Sequence, residues 1–304
     1  MRIVLFGAGG QVGWELQRSL APLGELLMPA RRHPDAPVDL AEPESVRRVL
    51  RRARPQVIVN AAAYTAVDRA EAEPALAHAV NATAPGVMAT EAAEAGALLV
   101  HYSTDYVFDG HGSTPWREDD APAPLNAYGR SKLEGEEAVR ASGCRHLLLR
   151  TSWVCSARGG NFIRTILRLA AERDGLRVVD DQVGAPTGAE LLADVTAHAL
   201  RAVLARPELG GTYHVAPAGA TSWHAYACRV VDAAAARGRT LRTRRERIEP
   251  VPTRDYPSAA TRPLNSRLDT TRLQRSFGLK LPPWEQGVDR ILAELLDAPD
   301  GTHP

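Results

Sequence analysis

Arg2-Ile3-Val4-Leu5-Phe6-Gly7-Ala8-Gly9-Gly10-Gln11-Val12-Gly13 passes within a dozen residues from an apolar run to a glycine-rich turn, and the helical spacing of Leu16 and Leu20 follows. Strand, glycine loop and helix in that order are the context in which a dinucleotide fingerprint has physical meaning. Gly7 permits a tight turn, Gly10 lets backbone N–H groups approach a pyrophosphate, and Gly13 lets the helix pack close to the strand. The positive end of that helix then faces the anion.

Outward from this turn, apolar runs at Glu25–Met28, Val57–Asn60, Leu98–Ser103 and His146–Thr151 read as strands, with Val38-Asp39-Leu40 as a short strand end. Helical patterns at Pro43–Arg52, at Pro74–Ala95 and from Ala127 onward separate them. Such alternation specifies an α/β fold, a doubly wound parallel sheet of the Rossmann type with right-handed crossovers, over residues 1–150. From Thr151 the alternation loosens. Helices are expected over 161–173, 188–206, 222–236 and 284–296 and strands over 177–179 and 212–215, with a frayed tail, DAPDGTHP. Residues 151–304 therefore read as a smaller, mainly substrate-binding α/β domain, with the helix at 188–206 returning to the first.

The chemistry gathers at the carboxyl ends of the strands, where open parallel sheets bind ligands. Small residues at Ala61, Ala62 and Ala63, before Tyr64 and Thr65, let a flat ligand lie against the backbone. Thr104 ends its strand on the same edge, where its hydroxyl can donate to a carbonyl oxygen that gains charge during reduction. Tyr128 and Lys132 stand four residues apart, on one helical face. A cation a few Å from a phenol lowers its pKa, which makes Tyr128 a usable general acid. Of 37 basic residues only two, Lys132 and Lys280, are lysines, so a compact ammonium at Lys132 is a specific choice. After the second strand an NAD site has an acidic residue; here the chain reads Pro29-Ala30-Arg31-Arg32. Two guanidiniums suit a 2′-phosphate, which favours NADPH, with NADH as the alternative. In the second half, Asp181–Thr187, with Gln182, has the composition of a lid edge, and Arg262-Pro263-Leu264-Asn265 offers polar groups to a diphosphate.

The totals exclude other classes. A net charge of +1 and scattered basic residues give no nucleic-acid footprint, and Arg237–Arg247 reads as a solvated connection. Three cysteines without metal spacing argue against a disulfide framework. The amino terminus turns glycine-rich too early for a signal peptide and no apolar run is of membrane-spanning length, so the expectation is a soluble cytoplasmic protein with no membrane partner.

The set Gly7, Gly10, Gly13, Asn60-Ala61-Ala62, Thr104 and Tyr128 with Lys132 resembles the extended short-chain dehydrogenases/reductases. The strings GGQVGWEL (9–16), NAAAYTAVDRAE (60–71), STDYVFDG (103–110), PLNAYGRSKLEGE (124–136), RTSWVCS (150–156), NFIRTILRLA (161–170), DQVGAPT (181–187), YHVAPAGATSWHAYA (213–227) and RPLNSRLD (262–269) resemble, in order, the dTDP-4-dehydrorhamnose reductase family. The resemblance implies reduction of a dTDP-4-keto-6-deoxy-L-sugar for cell-surface polysaccharide synthesis, with Thr104, Tyr128 and Lys132 catalytic. It places Gln11, Val12, Asp39, Leu40, Ala63, Tyr64, Thr65 and Tyr102 on the cofactor, with Asp105, its neighbour Tyr106 and Trp153 at the sugar nucleotide. It further implies a homodimer in which Glu15 and Glu190 contribute to a bridging magnesium. Two positions depart: Ala30 stands where relatives often have an acid, and Cys155 where an aromatic is common. A dehydratase of the same fold would have a glutamate where Tyr106 stands. An epimerase would retain NAD, for which Arg31 and Arg32 are a poor environment. A non-catalytic NADP-binding subunit would have no need of the intact Thr104, Tyr128 and Lys132.

Overall fold

The apolar run after Arg2 becomes β1 (Arg2–Phe6), with Ile3, Val4, Leu5 and Phe6 all buried. Burial on both faces is what a central parallel strand demands of its sequence. A computed structural model of the chain describes residues 1–33 and 37–297, so the expected frayed tail lies, beyond Asp297, outside the described residues. Around β1 lie β2 (Glu25–Leu27), β3 (Val57–Asn60), β4 (Leu98–Thr104), β5 (Arg145–Thr151) and a sixth strand, Gly211–His214. All pair in parallel in the order β2-β1-β3-β4-β5-sixth. Strand order reverses between β1 and β3, which opens a crevice at their carboxyl ends.

Alternate side chains fill two cores. Ile3, Leu5, Val57, Val59, Leu147 and Leu149 pack with Leu16 and Leu20 of α1 (Gln11–Leu20) and Leu192 and Leu200 of α8 (Ala189–Ala205). On the other face, Val4, Phe6, Ile58 and Leu99 meet Val46 and Val49 of α2 (Pro43–Ala53) and Met88 of α5 (Ala84–Ala95). Both α8 and the sixth strand, although late in the chain, thus belong to the layers of the central sheet. A third core lies apart, where α7 (Phe162–Glu172), α9 (Trp223–Ala236) and α11 (Trp284–Leu296) enclose Ile163, Ile166, Tyr226, Val230 and Ile291. Among the described residues no helix is long and apolar enough to cross a membrane, and all three cysteines are free and buried.

Two expectations fail in detail. Val38–Leu40 is not a strand; only a bridge between Ala30 and Pro37 remains, and proline has no N–H with which to extend a ladder. The helix expected over Pro74–Ala95 is interrupted. A segment Pro74–His78 (α4, after α3 at Val67–Ala72) runs into a π turn at Ala79–Thr83 before α5. That turn aims Asn81 at the Ala61–Thr65 loop: its Oδ1 accepts from Tyr64 N at 2.8 Å and its Nδ2 donates to Tyr64 O at 3.0 Å.

The helix that carries Tyr128 is α6 (Ala127–Ala141), begun by an Asn126 side chain that accepts from Gly129 N at 2.8 Å. It lies close to its neighbours because two of its residues have no side chain. A Cβ on Gly129 would stand 2.2 Å from Tyr106 O, and one on Gly135 2.1 Å from Asn81 O. One turn beyond Lys132, Glu136 is wholly buried and takes a forked pair from Arg150 of β5, at 2.8 and 2.7 Å.

A buried fork of this kind is costly to break on one side and cheap to replace whole. Glu136→Leu alone should destabilise the protein by about 3 kcal/mol or more in urea denaturation, and Glu136→Leu with Arg150→Met should recover most of that. Equal losses in the single and double variants would contradict this account.

Candidate active site

The glycine turn has the geometry its sequence called for. Gly7 sits at φ +80°, and a Cβ there would meet Ala62 N at 2.6 Å; a Cβ on Gly13 would stand 1.9 Å from Gly7 O. Gly10 N donates to Gly7 O at 2.9 Å, and Gly10 caps α1 without any side chain in front of the helix end. Nothing lies within 4 Å of where a Cβ on Gly9 would be, so the turn offers a bare backbone cradle. Beside it a cavity of about 280 Å³ is lined by Phe6, Gly7, Ala30, Arg31, Asp39 and Leu40, among others. Arg31 reaches Asp39 at 3.0 Å across its rim, and Arg32 is exposed next to it. These features fit the pyrophosphate and adenosine end of a dinucleotide.

Around the crevice, Ala62 N donates to Asn60 Oδ1 at 3.1 Å, which fixes the start of the Ala62–Ala63–Tyr64–Thr65 loop. Tyr64 donates to Glu73 at 2.5 Å. Gln11 Oε1 accepts from Ser156 and Asn161 at 3.1 and 3.0 Å, tying the residue before Val12 to the second half of the chain. The Tyr102 ring is buried on the α8 side, with its hydroxyl 2.5 Å from that of Thr196, and its carbonyl accepts from Lys132 Nζ.

Thr104, Tyr128 and Asp105 come together at the end of β4. Thr104 Oγ1 donates to Asp105 Oδ1 at 3.1 Å, and Tyr106 N donates to Thr104 Oγ1 at 3.2 Å. The Tyr106 ring meets that of Tyr128 edge-on at 5.5 Å. Burial pushes the Tyr128 phenol up to about 12; the neighbouring Thr104 hydroxyl opposes this and the Asp105 charge adds to it. Lys132 does not lower it, contrary to the expectation from spacing. Its Nζ, held beneath the strand, donates to the Tyr102 carbonyl at 2.6 Å and lies 3.3 Å from His101 Nε2. Burial in turn brings Lys132 down to about 8. Asp105 is raised to about 7, again by burial, against the pull of the Ser266 and Thr104 hydroxyls.

The wall opposite comes from the second half. Trp153 has a left-handed backbone, φ +47°, and stacks on Trp223 with ring centroids 3.7 Å apart. Gln182 holds Trp223 in place, accepting from its indole N–H at 3.1 Å. The Asp181–Thr187 segment is tied to the second half by Val183–Gly184 pairing with Thr221–Ser222. Arg262 is paired with Asp68 at 2.6 Å. The Asn265 amide is spent on the carbonyls of Thr114 and His111, at 2.8 and 3.4 Å, and so secures the Gly110–Trp116 loop. Glu15 is near enough to Glu190 for its charge to add to the burial that raises the Glu190 pKa, yet no group of three or more His, Cys, Asp or Glu side chains suited to a metal occurs among the described residues.

Sequence reasoning had Asn60 only as part of a motif and missed Asn81, His101, Glu136 and Arg150, which with it form the polar layer under the site. Asn60 ends a wholly buried strand and His101 follows three apolar residues in another, the one signal the sequence held for a buried polar layer.

A glycine cradle at a strand switch point, beside a buried threonine and a half-buried tyrosine, defines a dinucleotide-dependent oxidoreductase of the short-chain dehydrogenase/reductase type. Residues 1–297 match the family model described as the RmlD substrate binding domain, and the chain belongs to that family. It is 54% identical to the dTDP-4-dehydrorhamnose reductase of Salmonella typhimurium over 97% of this chain and 98% of that one. The Escherichia coli enzyme of the same name is 52% identical over the same shares. The solved dTDP-4-dehydrorhamnose reductase of Bacillus anthracis in complex with NADP superposes with a TM-score of 0.85 at 34% identity, covering 96% of this chain and 99% of that one. The corresponding protein of Clostridium acetobutylicum gives a TM-score of 0.87 at 33% identity, covering 98% of this chain and 100% of that chain.

Because Asp105 binds its proton more tightly in the folded chain than when unfolded, it contributes stability below pH ~4 that is lost as pH rises to about 7. Asp105→Asn should therefore gain stability relative to the parent at pH 8 and not at pH 4. A difference in urea midpoints that stays constant with pH would count against a buried, protonated Asp105.

Proposed function

We propose that this chain reduces the 4-keto group of dTDP-4-dehydro-L-rhamnose to give dTDP-L-rhamnose. The observation that carries the reading is the half-buried Tyr128 phenol beside the buried Thr104 hydroxyl, at the mouth of the sheet and next to the glycine cradle. The bound nicotinamide supplies the hydride. Thr104 donates to the ketone oxygen and stabilises its growing negative charge. Tyr128, whose raised pKa keeps the phenol protonated through the neutral range, gives its proton to that oxygen as it becomes an alkoxide. Lys132 sits one helical turn deeper and serves the nicotinamide ribose. The Trp153–Trp223 plate bounds the sugar pocket, and without substrate the single Thr104 hydroxyl hydrogen rests on Asp105, from which it turns to the ketone oxygen when the sugar binds.

On this reading residues 1–150 bind the dinucleotide and 151–304 mainly the sugar nucleotide, with α8 and the sixth strand completing the first half. Arg31 and Arg32 favour NADPH: a 2′-phosphate at the cavity rim would meet two guanidiniums, one already poised by Asp39.

Tyr128→Phe should cut turnover of the keto sugar by roughly 10²- to 10⁴-fold while the variant still binds NADPH; turnover near the parent rate would exclude the phenol as the acid. Replacing Arg31 and Arg32 by alanine should raise the Michaelis constant for NADPH and leave that for NADH nearly unchanged. Equal effects on both cofactors would sink the 2′-phosphate assignment.

A further inference from the structure

Beneath the crevice, three polar side chains on different elements are linked in a buried row whose hydrogen-bond polarity can be followed atom by atom. It starts from Ala62 N, which has only a hydrogen to offer and gives it to Asn60 Oδ1 at 3.1 Å. The other end of the Asn60 amide is therefore its NH₂, and this faces His101 Nδ1 at 3.0 Å. Nδ1 must accept. His101 is wholly buried, and burial by itself pulls its ring well below the ordinary range and so toward the neutral form. A neutral ring that accepts at Nδ1 has its hydrogen on Nε2. That N–H points at Lys132 Nζ, 3.3 Å away.

An ammonium has three hydrogens and no lone pair, so it can only oppose an N–H. An amine has a lone pair for it and still keeps two hydrogens, one of which goes to the Tyr102 carbonyl at 2.6 Å. We propose that His101 is a positioning residue for Lys132: its tautomer, dictated from Ala62 through Asn60, aims an N–H at Nζ and favours the amine over the ammonium in the cofactor-free protein. The other charged group acting on Lys132 is Glu136 on its own helix, onto which Arg150 from β5 is forked. Glu136 favours the ammonium and burial disfavours it. The His101 N–H therefore adds to burial, and an amine so held has one hydrogen still uncommitted for a hydroxyl in the crevice.

The inference rests on the reading of Lys132 as part of the reductase machinery, but its test needs neither substrate nor cofactor. The chain has only two lysines, and Lys280 is exposed. Protein carrying ¹³C at the lysine ε-carbon, with Lys280→Arg, leaves one side-chain signal, that of Lys132. Its titration should have a midpoint below that of the Lys280 signal in the parent. In His101→Gln, whose amide can turn a carbonyl toward Nζ, the midpoint should rise by about one unit or more, a tenfold gain in proton affinity. A midpoint that stays put or falls in the folded variant overturns the proposal. Should His101→Gln fail to fold, the ¹⁵N spectrum of histidine-labelled parent protein decides: a His101 ring protonated at Nε2 supports the assignment, and one protonated at Nδ1 overturns it.

Discussion

The site depends on how closely α6 can lie against the rim of the sheet. Gly129 and Gly135 each leave a neighbouring carbonyl in the volume a Cβ would need, and with any side chain there the helix would have to move outward. Because it does not, Tyr128 comes to rest half-buried and Lys132 and Glu136 fully buried, one turn apart. Burial then sets their chemistry. It raises the phenol and lowers the ammonium, and it makes Glu136 depend on Arg150 for a counter-charge. A backbone packing constraint thus determines which groups keep protons.

Local signals were enough for most of the fold. Glycine spacing in 7–13, paired with apolar runs buried on both faces, fixed the parallel sheet and its crevice, since each of these patterns reports on a single element. Fold features that needed two distant segments were harder to read. The π turn at Ala79–Thr83 adjusts the helix so that Asn81 meets a loop 17 residues earlier, and nothing in the helix's own sequence demands it. The sixth strand joined β5 across an intervening lobe for the same reason: pairing partners are not written locally.

At the site, identity was legible and direction was not. Tyr128 and Lys132 share a helical face as their spacing requires, yet the hydrogen bond Nζ makes is to the Tyr102 carbonyl. Gln182 and Asn265 carry suitable chemistry but spend it on Trp223 and on the loop after Gly110. A side chain with several possible partners takes the one that tertiary packing leaves unsatisfied, and that choice depends on atoms far away in the chain. Asn60 and His101, 41 residues apart, are bonded to each other for this reason alone.

Trp153 shows what such packing can sustain. A large aromatic residue in the left-handed region costs of order 1–3 kcal/mol, and the stack on Trp223, itself clamped by Gln182, offsets that cost. A glycine at this position would relax the main chain but remove the flat surface. Selection for thermal robustness and selection for a well-shaped sugar pocket therefore pull residue 153 in opposite directions.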